Sequence, residues 1–249
     1  MHSRFPARKT PPAERALTFQ AAAPLVSLLV AVLAVFPMLA SSSLAQGLVF
    51  PLRMGTRWTY HLHQKNAPGV RFRGPDAALA KGNVLDATVI SEVRGVDRIG
   101  DANYVRIESR RNEQLWMTEW YRVVPQGLFL GKTAQADEGS EVVMTPPQQV
   151  LNTSLQRGES WIWKSVDAPA VIRARVLGPD RVAVPAGSYS AVAVETDLVL
   201  HQGQATVTTR EIRWFASGTG FVDHSTETFL NGHLLSSVRL TLEKFEPGS

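Results

Sequence analysis

Leu52-Arg53-Met54-Gly55-Thr56-Arg57-Trp58-Thr59-Tyr60-His61-Leu62-His63 decides the fold class, because after Gly55 its large apolar side chains fall on every second residue. Successive side chains of an extended chain point to opposite faces, so Trp58, Tyr60 and Leu62 share one face of a strand and Thr59, His61 and His63 take the other. The alternation recurs at Leu85, Ala87, Val89 and Val93, at Val105 and Ile107, and from Trp116 to Val124. Helical periodicity is not sustained anywhere after Val49 for more than about ten residues.

Punctuation between these runs agrees. Gly178-Pro179-Asp180, Pro185-Ala186-Gly187, Gly218-Thr219-Gly220 and Asn231-Gly232 stand where two alternating runs meet. Asn231-Gly232 predicts a two-residue hairpin, since both residue types tolerate positive φ. Lys65 to Gly82 reads as a loop and Thr133 to Ser140 as a surface turn. Pro146-Pro147 is expected to break regular structure ahead of a short helical turn within Gln148 to Ser154.

The opening stretch also has a counterpart. Leu-x-x-Gly-x-x-Trp-x-aromatic, met at Leu52 to Tyr60, returns at Leu155-Gln156-Arg157-Gly158-Glu159-Ser160-Trp161-Ile162-Trp163. Val105-Arg106-Ile107-Glu108-Ser109 matches Val192-Ala193-Val194-Glu195-Thr196, and Trp120-Tyr121 before Gly127 matches Trp214-Phe215 before Gly220, in the same order. The expected architecture is all-β and antiparallel: internally duplicated meanders, about 48–132 and 151–246, forming a curved sheet, half-barrel or sandwich within a single domain over 46–249.

Residues 1–45 read as a signal peptide. Arg4, Arg8, Lys9 and Arg15 precede an apolar run from Ala21 to Ala40, and Ser43 and Ala45 supply small residues for cleavage after Ala45. An uncleaved anchor is the alternative, since about 20 apolar residues span a bilayer. Pro24 and Pro37 confine the uninterrupted core to Leu25 to Phe36, and no basic residue follows until Arg53. The expected location is therefore periplasmic or secreted, with membrane contact only through an uncleaved signal.

The sequence pI of 9.6 invites a nucleic-acid reading, but the basic excess lies in the first 45 residues. Beyond them 22 Lys and Arg face 21 Asp and Glu. A near-neutral domain lacks the clustered cations that phosphate binding needs, so no nucleic-acid partner is expected. There is no cysteine, so neither disulfides nor thiolate metal sites hold an exported chain together. A domain of this length buries roughly 70% of the surface its unfolded chain exposes, and its core suffices.

Leu52-x-x-Gly55-x-x-Trp58-x-Tyr60, Val184-Pro185-Ala186-Gly187-Ser188-Tyr189 and Trp214-Phe215-Ala216-Ser217-Gly218-Thr219-Gly220-Phe221-Val222 together resemble a broad family of exported bacterial β-rich domains of unknown function. These motifs are turns and core aromatics, so the resemblance implies a fold and no catalytic residues. In overall plan that family is similar to lipoprotein-carrier half-barrels, which implies a curved sheet able to hold acyl chains.

His61 and His63 form the candidate metal pair, being i and i+2 on one strand face; the competing reading is two solvent-facing histidines opposite a buried face. Glu108 and Glu195 occupy matched repeat positions, which duplication alone explains. No Gly-x-Ser-x-Gly elbow, Ser-x-x-Lys box, Walker loop or dinucleotide fingerprint is present, and no cofactor is implied. Trp58, Tyr60, Trp116, Trp120, Trp161, Trp163 and Trp214 are candidate ligand-binding aromatics, with Trp116 sharing a face with Trp120 and Trp163 with Trp161; core packing is the favoured reading and explains them with no ligand. The leading expectation is a non-enzymatic envelope protein holding an apolar or amphipathic ligand, such as a lipid, or another envelope component. The alternatives are a structural or interaction module using sheet edges, and a metal-dependent or glycan-processing enzyme.

Overall fold

Among the described residues twelve antiparallel strands follow one another and, with one exception, each pairs with its sequence neighbour. The computed structural model describes residues 49–136 and 139–249; the predicted signal peptide and its cleavage site lie outside them. The strands are β1 (Arg57–Asn66), β2 (Val84–Ile99), β3 (Ala102–Arg111), β4 (Gln114–Val124), β5 (Gly127–Gln135), β6 (Ser140–Asn152), β7 (Ser160–Lys164), β8 (Ala170–Val184), β9 (Gly187–Gln202), β10 (Ala205–Ala216), β11 (Gly220–Leu230) and β12 (His233–Glu246). A five-residue helix, α1 (Pro75–Leu79), interrupts the β1–β2 connection.

Sheet order is β6-β5-β4-β3-β2-β1-β12-β11-β10-β9-β8-β7, so the first and last strands lie side by side at its centre. The sheet curls into a nearly closed barrel. At the seam between β6 and β7 the indole N–H of Trp161 donates to Gln149 O at 2.9 Å and that of Trp163 to Pro146 O at 2.8 Å. The Val166 amide reaches Thr145 O at 2.8 Å. Two indoles and one backbone bond thus span an interface that continuous ladders span elsewhere.

The inner wall carries the core expected from the alternation: Trp58, Tyr60 and Leu62 from β1, Leu85, Ala87, Val89 and Val93 from β2, then Ile107, Tyr121, Leu128, Phe215, Val222 and Leu242. The outer wall carries ion pairs, among them Arg106–Glu108, Arg175–Glu195 and Arg210–Asp197. Such a wall is the opposite of the apolar band with which membrane barrels meet lipid. Among the described residues no helix is long and apolar enough to cross a membrane.

The two Leu-x-x-Gly-x-x-Trp motifs make the same backbone bonds. Gly55 N donates to Val93 O and Val93 N to Thr56 O; Gly158 N donates to Val176 O and Val176 N to Glu159 O. Register shifts fall between Val93 and Gly95 and between Val176 and Gly178. They fall again between Trp120 and Tyr121 and between Trp214 and Phe215. Asn231 (φ 50) and Gly232 (φ 81) form the expected tight turn between β11 and β12.

Three local expectations are corrected. Pro146-Pro147 does not end regular structure: β6 runs through both, because it is an edge strand and its ladder to β5 skips that stretch, so the missing N–H groups cost nothing. Gln148 to Asn152 are accordingly strand, not helical turn. Strand structure also extends into both predicted loops. β1 reaches Asn66, where Asn66 N donates to Asn83 O, and β5 reaches Gln135 through its pairing with Ser140.

Candidate ligand cavity

Inside the barrel, between the arc β1 to β4 and the facing strands β10 to β12, lies a cavity of about 250 Å³. Its walls follow from strand parity. Trp58 and Tyr60, Val89 and Ser91, Ile107 and Ser109, then Met117, Glu119 and Tyr121, are i, i+2 sets on the inner faces of four consecutive strands. Phe221, Val238 and Leu240 come from the opposite side.

Phe50, from the segment ahead of β1, packs into the cavity wall. Its ring lies 5.3 Å from Phe221, 5.9 Å from Phe215, 6.1 Å from Tyr121 and 6.2 Å from Trp58, centroid to centroid. These spacings are those of favourable aromatic pairs. Trp58 and Tyr60 are held by their polar ends: the indole N–H donates to Thr219 O at 2.6 Å and the phenol O–H to Phe221 O at 2.9 Å. Gly220, at φ +93, lets the turn approach the Trp58 indole closely.

The apolar walls converge on a charged pole. Glu119, Arg213 and His224 line the cavity, with Glu211 behind them. Arg213 Nη2 sits 2.8 Å from Glu211 Oε1, and His224 Nε2 makes a short contact with the same oxygen. Thr196 Oγ1 donates to Glu211 Oε2 at 3.1 Å, and Thr226 Oγ1 lies 2.9 Å from His224 Nε2. The Arg213 guanidinium also stands 5.2 Å from the Phe221 ring, within cation–π reach.

The two carboxyl groups are driven apart. Burial pushes Glu119 above the usual carboxylate range, against the pull of Arg213 and of the Tyr121 O–H, which donates to Glu119 Oε1 at 2.9 Å. For Glu211 burial acts the same way, but Arg213 and His224 outweigh it and hold the carboxyl far below its ordinary value. Burial likewise lifts the phenols of Tyr60 and Tyr121, so both stay neutral donors. A polar end of neutral phenols, the Arg213–Glu211–His224 cluster and one carboxyl outside any ion-pair contact thus faces an otherwise apolar space.

Of the aromatic candidates, Trp58, Tyr60 and Trp116 line this cavity. Trp120 does not: its N–H donates to Asp97 Oδ2 at 2.7 Å and Lys132 Nζ stands 4.6 Å over its ring. The expected common face of Trp116 and Trp120 fails because β3 and β4 shift register between Ser109 and Arg110, with Met117 opposite Ser109 and Leu115 opposite Arg110. A bulge at Trp116 reverses the parity. Trp161 and Trp163 do share a role, at the seam, and Trp214 sits in register with Ala193 and Asp223, off the cavity lining.

His61 and His63 project from the outer face of β1 on either side of Asp86, whose Oδ1 is 3.5 Å from His61 Nε2 and 2.8 Å from His63 Nδ1. The His63 hydrogen bond holds the Asp86 carboxyl below its ordinary value. No group of three or more His, Asp or Glu among the described residues is arranged to hold a metal ion. Glu108 pairs with Arg106 and Arg110, and Glu195 with Arg175; neither lines the cavity.

Sequence reasoning passed over Glu119, Glu211 and Arg213, and considered His224 only as a possible third ligand beside His61 and His63. The signal was present for two of the strands: Glu119 lies between Met117 and Tyr121 in an i, i+2, i+4 set, and Glu211 and Arg213 lead to Phe215 in another. A charged residue on an apolar parity has to be paired or placed in a cavity.

No family profile matches the chain, and no curated protein does. Two crystal structures are similar to it. One, from Bacteroides fragilis, is described as an exported protein with a YmcC-like fold; it is 13% identical, with a TM-score of 0.44, over 80% of this chain and 99% of that one. The other, described as a lipoprotein from Parabacteroides distasonis, is 14% identical with a TM-score of 0.42 over the same shares. Likeness at this level transfers no activity or ligand.

Proposed function

We propose that this chain is a non-enzymatic exported protein whose barrel holds a small apolar or amphipathic ligand. The observation that carries this reading is the cavity itself, apolar on its walls and polar at one pole, which is the composition of small-molecule sites. Its volume of about 250 Å³ lies just below the usual range of roughly 300–1,000 Å³, so the occupant is small. The N-terminal sequence supports export, and the matched bulges and backbone bonds of the two halves support an internal duplication.

The test is to purify the mature chain from a periplasmic extract, extract it with organic solvent, and titrate it with a fluorescent fatty acid. A stoichiometric small molecule in the extract, or saturable binding that Trp116→Ala weakens, is the expected result. An empty extract together with no saturable binding would remove the reading.

The seam favours a second reading, a module that docks through its sheet edges. β6 and β7 lack a mutual ladder, and Val142, Val143, Ile162 and Val166 are exposed there. A pull-down from envelope fractions that depends on Ile162 separates it from the first.

A further inference from the structure

Glu119 lines the cavity with no ion-pair partner among the described residues. Glu211 is paired with Arg213 and with His224, whereas Glu119 is in ion-pair contact with neither. Arg213 does not supply the remedy by contact, because its ion pair is with Glu211. The hydrogen bond Glu119 receives inside the cavity comes from Tyr121, a neutral phenol on its own strand. Tyr60 is committed to Phe221 O, and Ser91 and Ser109 bond each other at 2.7 Å.

A carboxylate kept from water with no cation in hydrogen-bonding contact is costly, and such a group either takes up a proton or acquires a partner. A ligand carboxylate would add a third acid to this pole. An alcohol would leave Glu119 protonated and gain only a neutral hydrogen bond. An ammonium group supplies the contacting cation that Glu119 lacks and forms a charge-assisted bond, the stronger kind.

We propose that the occupant of this cavity is an amphipathic amine, its apolar body against Phe50, Trp58, Ile107 and Leu240 and its ammonium group on the Glu119 carboxylate. The assignment rests on the cavity-binding reading above and adds the chemistry of the head group. The binding step is a proton balance: where Glu119 is protonated before binding, it loses that proton to solvent as the ammonium ion arrives.

Three probes of equal chain length test it on the mature full chain: octylamine, octan-1-ol and octanoate, each titrated calorimetrically and by tryptophan fluorescence. Octylamine is expected to bind at least tenfold more tightly than octanol, with octanoate weakest. Across a pH series its heat should vary with the ionisation enthalpy of the buffer wherever Glu119 starts protonated, reporting the released proton. Glu119→Gln should lower octylamine affinity about tenfold and leave octanol unchanged, with circular dichroism establishing that the variant is folded. If it is not, the ranking of probes on the unmodified chain and the proton release decide. Octanol or octanoate binding as well as octylamine would overturn the amine assignment and leave the cavity reading standing; silence from all three probes would overturn both.

Discussion

Glu119 and Glu211 share one pole of one cavity and respond to acid in opposite senses. Burial raises the folded-state value of Glu119, so its contribution is fully present below about pH 4.5, the ordinary value of the group, and is lost as pH rises through the folded value. Glu119→Gln is therefore expected to raise Tm at pH 7 by roughly 2–4 °C, the response of a domain of this size to about 1 kcal/mol. The difference from the unmodified protein should shrink towards pH 4 in melts across a pH series. Glu211 is depressed, so its stabilisation is present above about pH 4.5 and is lost as pH falls towards its folded value. Glu211→Gln keeps an amide oxygen facing Arg213 and His224 but removes the negative charge they pair with. Breaking a buried pair costs about 3–5 kcal/mol, and because these side chains remain about one-fifth exposed the lower end is expected. Chemical denaturation at pH 7 measures it, and the variant should show a flatter loss of stability on acidification.

At the scale of the element, strand parity placed most of the inner wall, and bulges decided where parity failed. Trp116 reached the cavity, and Trp120 the opposite face, through a single register shift between β3 and β4. Glycine governs another close approach. A Cβ on Gly127 would stand 1.9 Å from Leu151 O, where β5 meets β6, and the residue has φ +142. Gly127→Ala is expected to destabilise by at least about 2 kcal/mol, since neither backbone yields without breaking the ladder; urea denaturation reads the loss. The seam behaves differently. Trp163→Phe keeps an aromatic ring and removes the N–H that reaches Pro146 O, so a cost of about 1 kcal/mol is expected. The more specific sign is faster hydrogen exchange in β6 and β7, with β1 and β12 unchanged.

Across the whole molecule, pairing of β1 with β12 places the chain's first and last strands at the centre of the sheet. Ten of the eleven pairings join sequence neighbours, and this one closes the longest loop. Removal of His233 to Ser249 is therefore expected to abolish cooperative unfolding, because β1 and β11 lose their shared partner; a thermal melt of the truncated chain tests it. The Gly248 amide adds a small tie to the same centre by donating to Thr56 Oγ1 at 3.0 Å.

The amino-acid sequence alone determined that the chain is all-β and antiparallel, that Trp58, Tyr60 and Leu62 face inward, and that Asn231-Gly232 turns a hairpin, because period and turn chemistry are properties of a few adjacent residues. It also set the near-neutral charge of the domain. Only the tertiary structure decided that Glu119 of β4 and Arg213 of β10, at opposite ends of a seven-strand arc, look into the same space. It alone placed Asp86 between His61 and His63 on the outer wall. The physical reason is that curvature and register are collective: each bulge re-aims every side chain beyond it, and a cavity exists only where many such choices meet.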